Sequence, residues 1–326
     1  MKLHAVLLKT ALACATFAFA AAAPAQIATT KGPLKLIVGY PAGGSADVQA
    51  RTLADKLAAE LGTTVVIDNR TGAGGQIAAD YVRAAPPDGL TVLLANMHMM
   101  VMLPLTSKSV RYDPVKDFHA VGRIASFYEG IAVPTALPVQ NVQQWLELAR
   151  TDTSKASYGV PAPGSVAQFM GFRLGSEAKA SLVAAPYRGA APLVQDLLGN
   201  QIAAGIMPIA DLVAHQQSGK LKVLAVNGAR RASLLPDVPT LKELGQPHFD
   251  NLEWTGLFVP AGTPRPIVDQ LHAALGKALA NKEVQERLQK LSSDPSPSTP
   301  EELTRLIADD LKRWGPVVKA SGFSSE

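Results

Sequence analysis

The 326-residue chain predicts an α/β protein of two doubly wound domains with a cleft between them. Three observations predict it. Short apolar runs alternate with helix-period segments, the pattern of βαβ units and parallel sheets. That rhythm fills the first hundred residues and resumes near residue 157, and a length of about 300 residues is a soft prior for two domains. One turn sequence, Pro41-Ala42-Gly43-Gly44-Ser45, returns 120 positions later as Pro161-Ala162-Pro163-Gly164-Ser165. Each copy follows an apolar run and opens a helical pattern, so each half carries one strand-turn-helix corner.

In order, Leu34–Tyr40 reads as a buried strand. Ser45–Leu61 reads as a helix with Val48, Leu53, Leu57 and Leu61 along one stripe. Thr64–Asn69 is a strand, Gln76–Ala84 a helix and Thr91–Asn96 a strand. Later strands are Ser157–Val160, Leu182–Tyr187, Ile202–Met207 and Leu221–Val226, with helices at Val166–Ala178, Ala190–Leu198 and Ile209–Ser218 between them. Leu257–Val259 is a further strand, leading into a looser corner, Pro260-Ala261-Gly262-Thr263. The tail is helical over Ile267–Ala280, Val284–Leu291 and Glu301–Ala320. Prolines punctuate the breaks. No low-complexity linker separates the halves, which suits a chain that crosses between its domains more than once.

The N-terminus reads as a secretory signal peptide, residues 1–25. Lys2 and Lys9 precede an apolar run from Ala11 to Ala23, and Ala23-Pro24-Ala25 is a small-x-small cleavage site. The run is shorter than the roughly 20 residues a spanning helix needs. Cys14 is the single cysteine and leaves with the signal. The mature chain then has no disulfide, thiol nucleophile or thiolate metal site. The formal charge of +4 falls to about +2 on cleavage, and basic residues are scattered, so no nucleic-acid footprint is visible.

The corners have a physical use. Backbone N–H groups in a helix's first turn lack intrahelical partners, and the helix dipole adds positive charge there. Such a start binds carboxylate or phosphate. In open α/β sheets, ligands bind beyond the carboxyl ends of strands, where corners sit. Ser45 and Ser165 also suit plain N-capping, which ligand contact does not exclude. A glycine-rich turn at Gly72-Ala73-Gly74-Gly75-Gln76 has Ile77 where a dinucleotide fingerprint needs glycine, and no acidic residue ends the next strand. No phosphate loop, nucleophile elbow or metal-ligand histidine spacing is present in the sequence, so neither a catalytic residue, a cofactor nor a metal is expected. His98, among Met97, Met99 and Met100, reads as a polar contact beside an apolar patch.

Leu36–Arg51, Val65–Ala79, Pro87-Asp88-Gly89-Leu90, Tyr112–Phe118, Tyr158–Ser165, Pro186–Gly189, Gly219–Val226, Leu235–Thr240 and Val259–Pro264 form an ordered series. In that series the chain resembles the substrate-binding proteins of tripartite tricarboxylate transporters, the Bug receptors. The resemblance implies a type II periplasmic binding protein fold with two hinge crossings. It implies domain 1 over 26–125 plus 230–326 and domain 2 over 126–229. It also implies a periplasmic, monomeric receptor for a small carboxylate or amino-acid-like ligand, delivered to a membrane permease.

Carried onto these residues, the resemblance implies ligand contacts from Tyr40, Ala42, Gly43, Gly44, Ser45 and Asp47, then Gly74, Gly75 and Gln76, then Asn96 and His98. From the second domain it implies Val160, Pro161, Gly164, Ser165, Gln168 and Tyr187. Gln168, Met207-Pro208 and Glu129 depart from the family's usual residues and bear on which ligand fits. A Glu129 facing the cleft favours a ligand with an amino group; one on the solvent side of its strand has no such role. Two other functions stay open on the residues alone: a secreted α/β enzyme, and a ligand sensor reporting to a membrane signalling partner.

Overall fold

The computed structural model describes residues 32–325, so the signal-peptide reading lies outside the described residues. The chain runs β1 (Leu34–Val38), α1 (Ser45–Leu61), β2 (Val65–Asn69), α2 (Gln76–Arg83), β3 (Thr91–Asn96), a π-type turn (His98–Met102) and α3 (Leu103–Thr106). Next come β4 (Phe118–Phe127), β5 (Glu129–Pro134), α4 (Val142–Thr151), β6 (Ser157–Val160), α5 (Val166–Ala178), β7 (Val183–Pro186) and α6 (Ala190–Leu198). It ends with β8 (Ala204–Pro208), α7 (Val213–Gln217), β9 (Leu221–Val226), β10 (Glu253–Pro260), α8 (Arg265–Ala280), α9 (Lys282–Lys290), β11 (Asp294–Pro295) and α10 (Pro300–Ser321).

These strands make two sheets, ordered β11-β4-β10-β3-β1-β2 and β7-β6-β8-β5-β9. β4 runs through Tyr128 straight into β5, joining the sheets, and the chain returns between Val226 and Glu253. Both sheets are mixed: the parallel pairs expected from the βαβ rhythm are present, β1 with β2 and β3 and β6 with β7 and β8, but antiparallel strands join them. β10 pairs antiparallel with β3 and β4, and β5 antiparallel with β8 and β9. The reason is the crossings: a strand that enters from the other sheet arrives at the edge where the parallel strands end, and so runs against them.

Lobe one wraps helices on both faces of its sheet. Leu53, Leu57 and Leu61 of α1 are buried against Val268, Leu271 and Leu275 of α8 and against Leu36 and Val38 of β1. Burying one such side chain stabilises by about 1.5–3 kcal/mol. Gly62, left-handed at φ 64°, closes α1. α10 starts with a capping box, Thr299 and Glu302, and Pro300 at its first position. Lobe two buries Tyr158, Phe169 and Trp145. Trp145 lies on α4, an element the sequence reading omitted. Boundaries also move: β1 stops at Val38, the strand expected at Leu257–Val259 starts at Glu253, the one expected at Ile202–Met207 starts at Ala204, and the helix expected over 209–218 splits into a turn at Ile209–Asp211 and the short α7.

Candidate cleft at the strands' carboxyl edge

Lobe one presents to lobe two the carboxyl ends of β1, β2, β3 and β4 and the start of β10. The first corner leaves β1 there. Gly44 is the N-cap of α1 and supplies no side-chain cap, so Ser45 is the first helical residue. The turn is pinned from within. Asp47 accepts hydrogen bonds from the Gly43 N–H at 2.9 Å, from Arg51 Nε at 2.8 Å and from Asn69 Nδ2 at 3.0 Å. Arg51 first, then those N–H donors, hold the Asp47 carboxyl down at about 2 against the opposing effect of burial. Asp47 therefore shapes the corner; its carboxylate is occupied by the protein. Ala42 and Gly43 stand exposed at the corner's tip.

The other two loops close around the first. Tyr40 Oη donates to Asn96 Oδ1 at 3.0 Å, and Asn96 Oδ1 also accepts from the Met99 N–H at 3.1 Å. Burial pushes the Tyr40 hydroxyl up, so it acts as a neutral donor. Gly75, at φ 100°, leaves no room for a Cβ beside the Met99 methyl. Gly74, at φ 65°, has the His98 ring against it: a Cβ there would stand 3.0 Å from Nε2. Burial lowers the His98 pKa to about 4, so the ring is neutral. The methionines around it are wholly buried core. Gln76 reaches sideways to the Ser109 carbonyl at 3.1 Å.

In lobe two the second corner leaves β6. The Tyr187 N–H donates to the Val160 carbonyl at 2.8 Å and the Gly189 N–H to the Pro161 carbonyl at 2.9 Å. Tyr187 Oη donates to Asp196 at 2.7 Å; burial first and that carboxylate next raise its pKa to about 12. Ser165 is a true N-cap of α5, its hydroxyl accepting from Gln168 N at 3.4 Å. Gln168 Oε1 accepts from the Gly164 N–H at 2.8 Å. The two corners are thus out of step by one position, since Ser45 is inside its helix and Ser165 caps one. Gly164 stands near the C-terminal segment, where an added Cβ would lie 3.2 Å from the Phe323 ring.

Between the lobes, next to the crossings, lies a cleft of about 400 Å³. From the residues expected to bind ligand it gathers Tyr40, Gly44, Ser45 and Asn96, together with Pro41 and Ala46. Pro208, flagged in the sequence as bearing on ligand choice, lines it too; the remaining walls were not foreseen, among them Gln49, Thr255, Ser293, the crossing residues Phe127 and Tyr128, and Ile209–Asp211 of lobe two. The signal that could have found the last group is the strand-end rule itself, because they follow β8. Val160, Pro161, Gly164, Ser165, Gln168 and Tyr187 do not line this cleft. A larger groove of about 460 Å³ lies elsewhere, between α4, α5 and the loop around Leu244.

Glu129 is neither at the solvent side nor an open charge: it is 2% exposed, at the first position of β5. Its backbone N–H donates to Asn227 Oδ1 at 2.8 Å, and Asn227 N–H returns a bond to its carbonyl at 3.0 Å. Its carboxyl is hydrogen-bonded to that of Glu253. Burial, then the neighbouring Glu253 carboxyl, push Glu129 well above the ordinary carboxyl range, and burial raises Glu253 as well. No group of three or more metal-ligating side chains occurs among the described residues.

Two α/β lobes, two strand crossings and a cleft at the carboxyl edge define a periplasmic-binding-protein type of solute receptor. The chain belongs to the tripartite tricarboxylate transporter family of receptors, whose family model matches residues 49–323. BugT of Bordetella pertussis is 32% identical over 293 residues, 89% of this chain and 89% of its own. A Rhodopseudomonas palustris protein solved with adipate is 30% identical with a TM-score of 0.78, covering 90% of this chain and 98% of that one. MatC of the same organism, solved with bound malate, is 29% identical with a TM-score of 0.75, covering 88% and 98%. Family and neighbours are solute-binding receptors, and this chain is a receptor, not an enzyme.

Proposed function

We propose that the chain is a periplasmic receptor that captures a small carboxylate-bearing molecule in the interlobe cleft and hands it to a tripartite tricarboxylate-type membrane transporter. The observation that carries this reading is the open start of α1: Gly44 offers no side-chain cap, and Ser45 and Ala46 line the cleft, so the helix's free N–H groups are available to an anion. Malate and adipate in related proteins support the ligand class. In this reading domain 1 comprises 26–125 with 230–326, domain 2 comprises 126–229, and ligand closes the two about Tyr128 and Asn227. Export depends on the N-terminal 25 residues; N-terminal sequencing of the exported protein is expected to begin near Gln26. No described helix is long and apolar enough to cross a membrane.

A thermal-shift and calorimetric screen over mono-, di- and tricarboxylates tests the reading. A ligand at a hundred times its Kd stabilises by about 2.7 kcal/mol. Absence of any shift across the panel would remove the carboxylate receptor assignment.

A further inference from the structure

The far wall of the cleft carries one acid, Asp211, and two buried carboxyl groups lie beneath it. Glu253 opens β10, directly opposite Phe127 of β4 and two residues before Thr255. Residues opposite one another, or two apart along a strand, share a face. Phe127 and Thr255 both line the cleft, so Glu253 lies in the same layer beneath it. Glu129 stands opposite Pro208, which also lines it. The hydrogen-bonded Glu129–Glu253 pair therefore underlies the cleft where the two crossings meet. Glu129 Oε2 is buried without a hydrogen-bond partner. Above the pair, on the lobe-two wall, Asp211 is exposed to the cleft. Its carboxylate has no hydrogen bond or ion pair among the described residues.

Opposite these acids is the start of α1, which favours an anion. Among the described residues no lysine, arginine or histidine lines the cleft. A second carboxylate on the lobe-two side would face the Asp211 carboxylate instead of a lining cation.

We infer that the preferred ligand carries one carboxylate and one ammonium group, with the carboxylate at the first turn of α1 and the ammonium against Asp211, above the Glu129–Glu253 pair. This rests on the receptor reading given above and names the chemistry of the same cleft.

Paired probes separate the two chemistries: malonate against β-alanine, succinate against 4-aminobutanoate, glutarate against 5-aminopentanoate, adipate against 6-aminohexanoate, and methylmalonate against L-alanine. Calorimetry on the wild type and on Asp211→Asn is expected to give at least tenfold tighter binding of the amino member in the best pair. The variant is expected to lose tenfold or more for that member and to bind its dicarboxylate partner more tightly. Because Asp211 is exposed, the substitution does not disturb the core. If dicarboxylates bind more tightly to the wild type, the inference falls and the receptor reading stands. An amino preference that survives in Asp211→Asn also overturns it, since another group is then the cation's partner. If neither series binds, both readings fall.

Discussion

The indole nitrogen of Trp254 donates a 3.0 Å hydrogen bond to Oδ2 of Asp310, tying the start of β10 to α10 beside the second crossing. Asp310 is 1% exposed. Burial raises its pKa to about 6, against the weaker lowering effects of Trp254, Arg313 and Asn251. The folded state thus holds this proton more tightly than the unfolded chain, where an aspartate titrates near 4. The associated stability is fully present below about pH 4 and is lost as pH rises through about 6. Asp310→Asn should flatten that part of the profile, a change of roughly 2–3 kcal/mol. Urea titrations at pH 4, 5, 6 and 7 check it; identical slopes in wild type and variant would refute it.

Asp47 behaves in the opposite sense. Its pKa of about 2 lies below the unfolded value, so its contribution is complete above about pH 4 and is lost as pH falls toward 2. Asp47→Ala should lower stability at pH 7 and also weaken carboxylate binding, because the Gly43 N–H and Asn69 lose the acceptor that shapes the corner. A variant that melts earlier yet binds carboxylate with unchanged affinity would show that the corner holds its shape without this residue.

The one-position offset between the corners predicts a division of labour. The Ser45 hydroxyl has no hydrogen-bond partner among the described residues, and Ser45 lines the cleft. Ser45→Ala should cost about tenfold in affinity, the value of a charge-assisted hydrogen bond, with little change in melting temperature. Ser165 is a helix cap, so Ser165→Ala should cost about 1 kcal/mol of stability. Calorimetry paired with thermal melts separates the two effects, and equal affinity losses in both variants would contradict the division.

Gly75 is a packing residue as much as a turn residue. Its φ of 100° disfavours any side chain, and an added methyl collides with Met99. Gly75→Ala should destabilise by about 2–4 kcal/mol through backbone strain and overpacking. Denaturant midpoints read this directly; a shift smaller than about 0.5 kcal/mol, the range of ordinary surface substitutions, would mean the loop relocates freely.

Closure about Tyr128 and Asn227 should shrink the molecule when ligand binds. Small-angle scattering with a saturating carboxylate is expected to give a smaller radius of gyration. An unchanged radius in a sample shown by calorimetry to be fully bound would argue for a rigid cleft.

The rhythm of apolar runs located most strands, because Val, Leu and Ile clusters such as Leu36, Ile37 and Val38 lie in sheets buried on both faces. It could not give their direction, which is set by where β10 re-enters and not by its composition. α4 escaped notice because its buried residues, Val142, Trp145 and Ala149, are few among exposed polar ones. The first corner was legible as glycines and a serine after a strand. The acid pair was not: Glu129 and Glu253 are 124 positions apart, and only the pairing of β5 and β10 with neighbours at the crossings brings them together. Asp211 follows an ordinary Pro-Ile-Ala stretch, and nothing in that stretch marks it as a cleft wall.

The C-terminal segment gives this receptor a built-in reporter. Trp314 and Val318 of α10 belong to the buried core, whereas Phe323 packs edge-on against Phe169 of α5, ring centres 5.8 Å apart. Just beyond, Ser325 N–H donates to the Thr106 carbonyl at 2.8 Å. The last described residues therefore bridge the lobes at the side of the second corner. A rearrangement of one lobe against the other must carry the Phe323 ring, the Phe169 ring or both with it. An environment-sensitive dye attached beside Phe323 would convert that displacement into an optical signal, leaving the α1 end of the cleft free for the solute being measured.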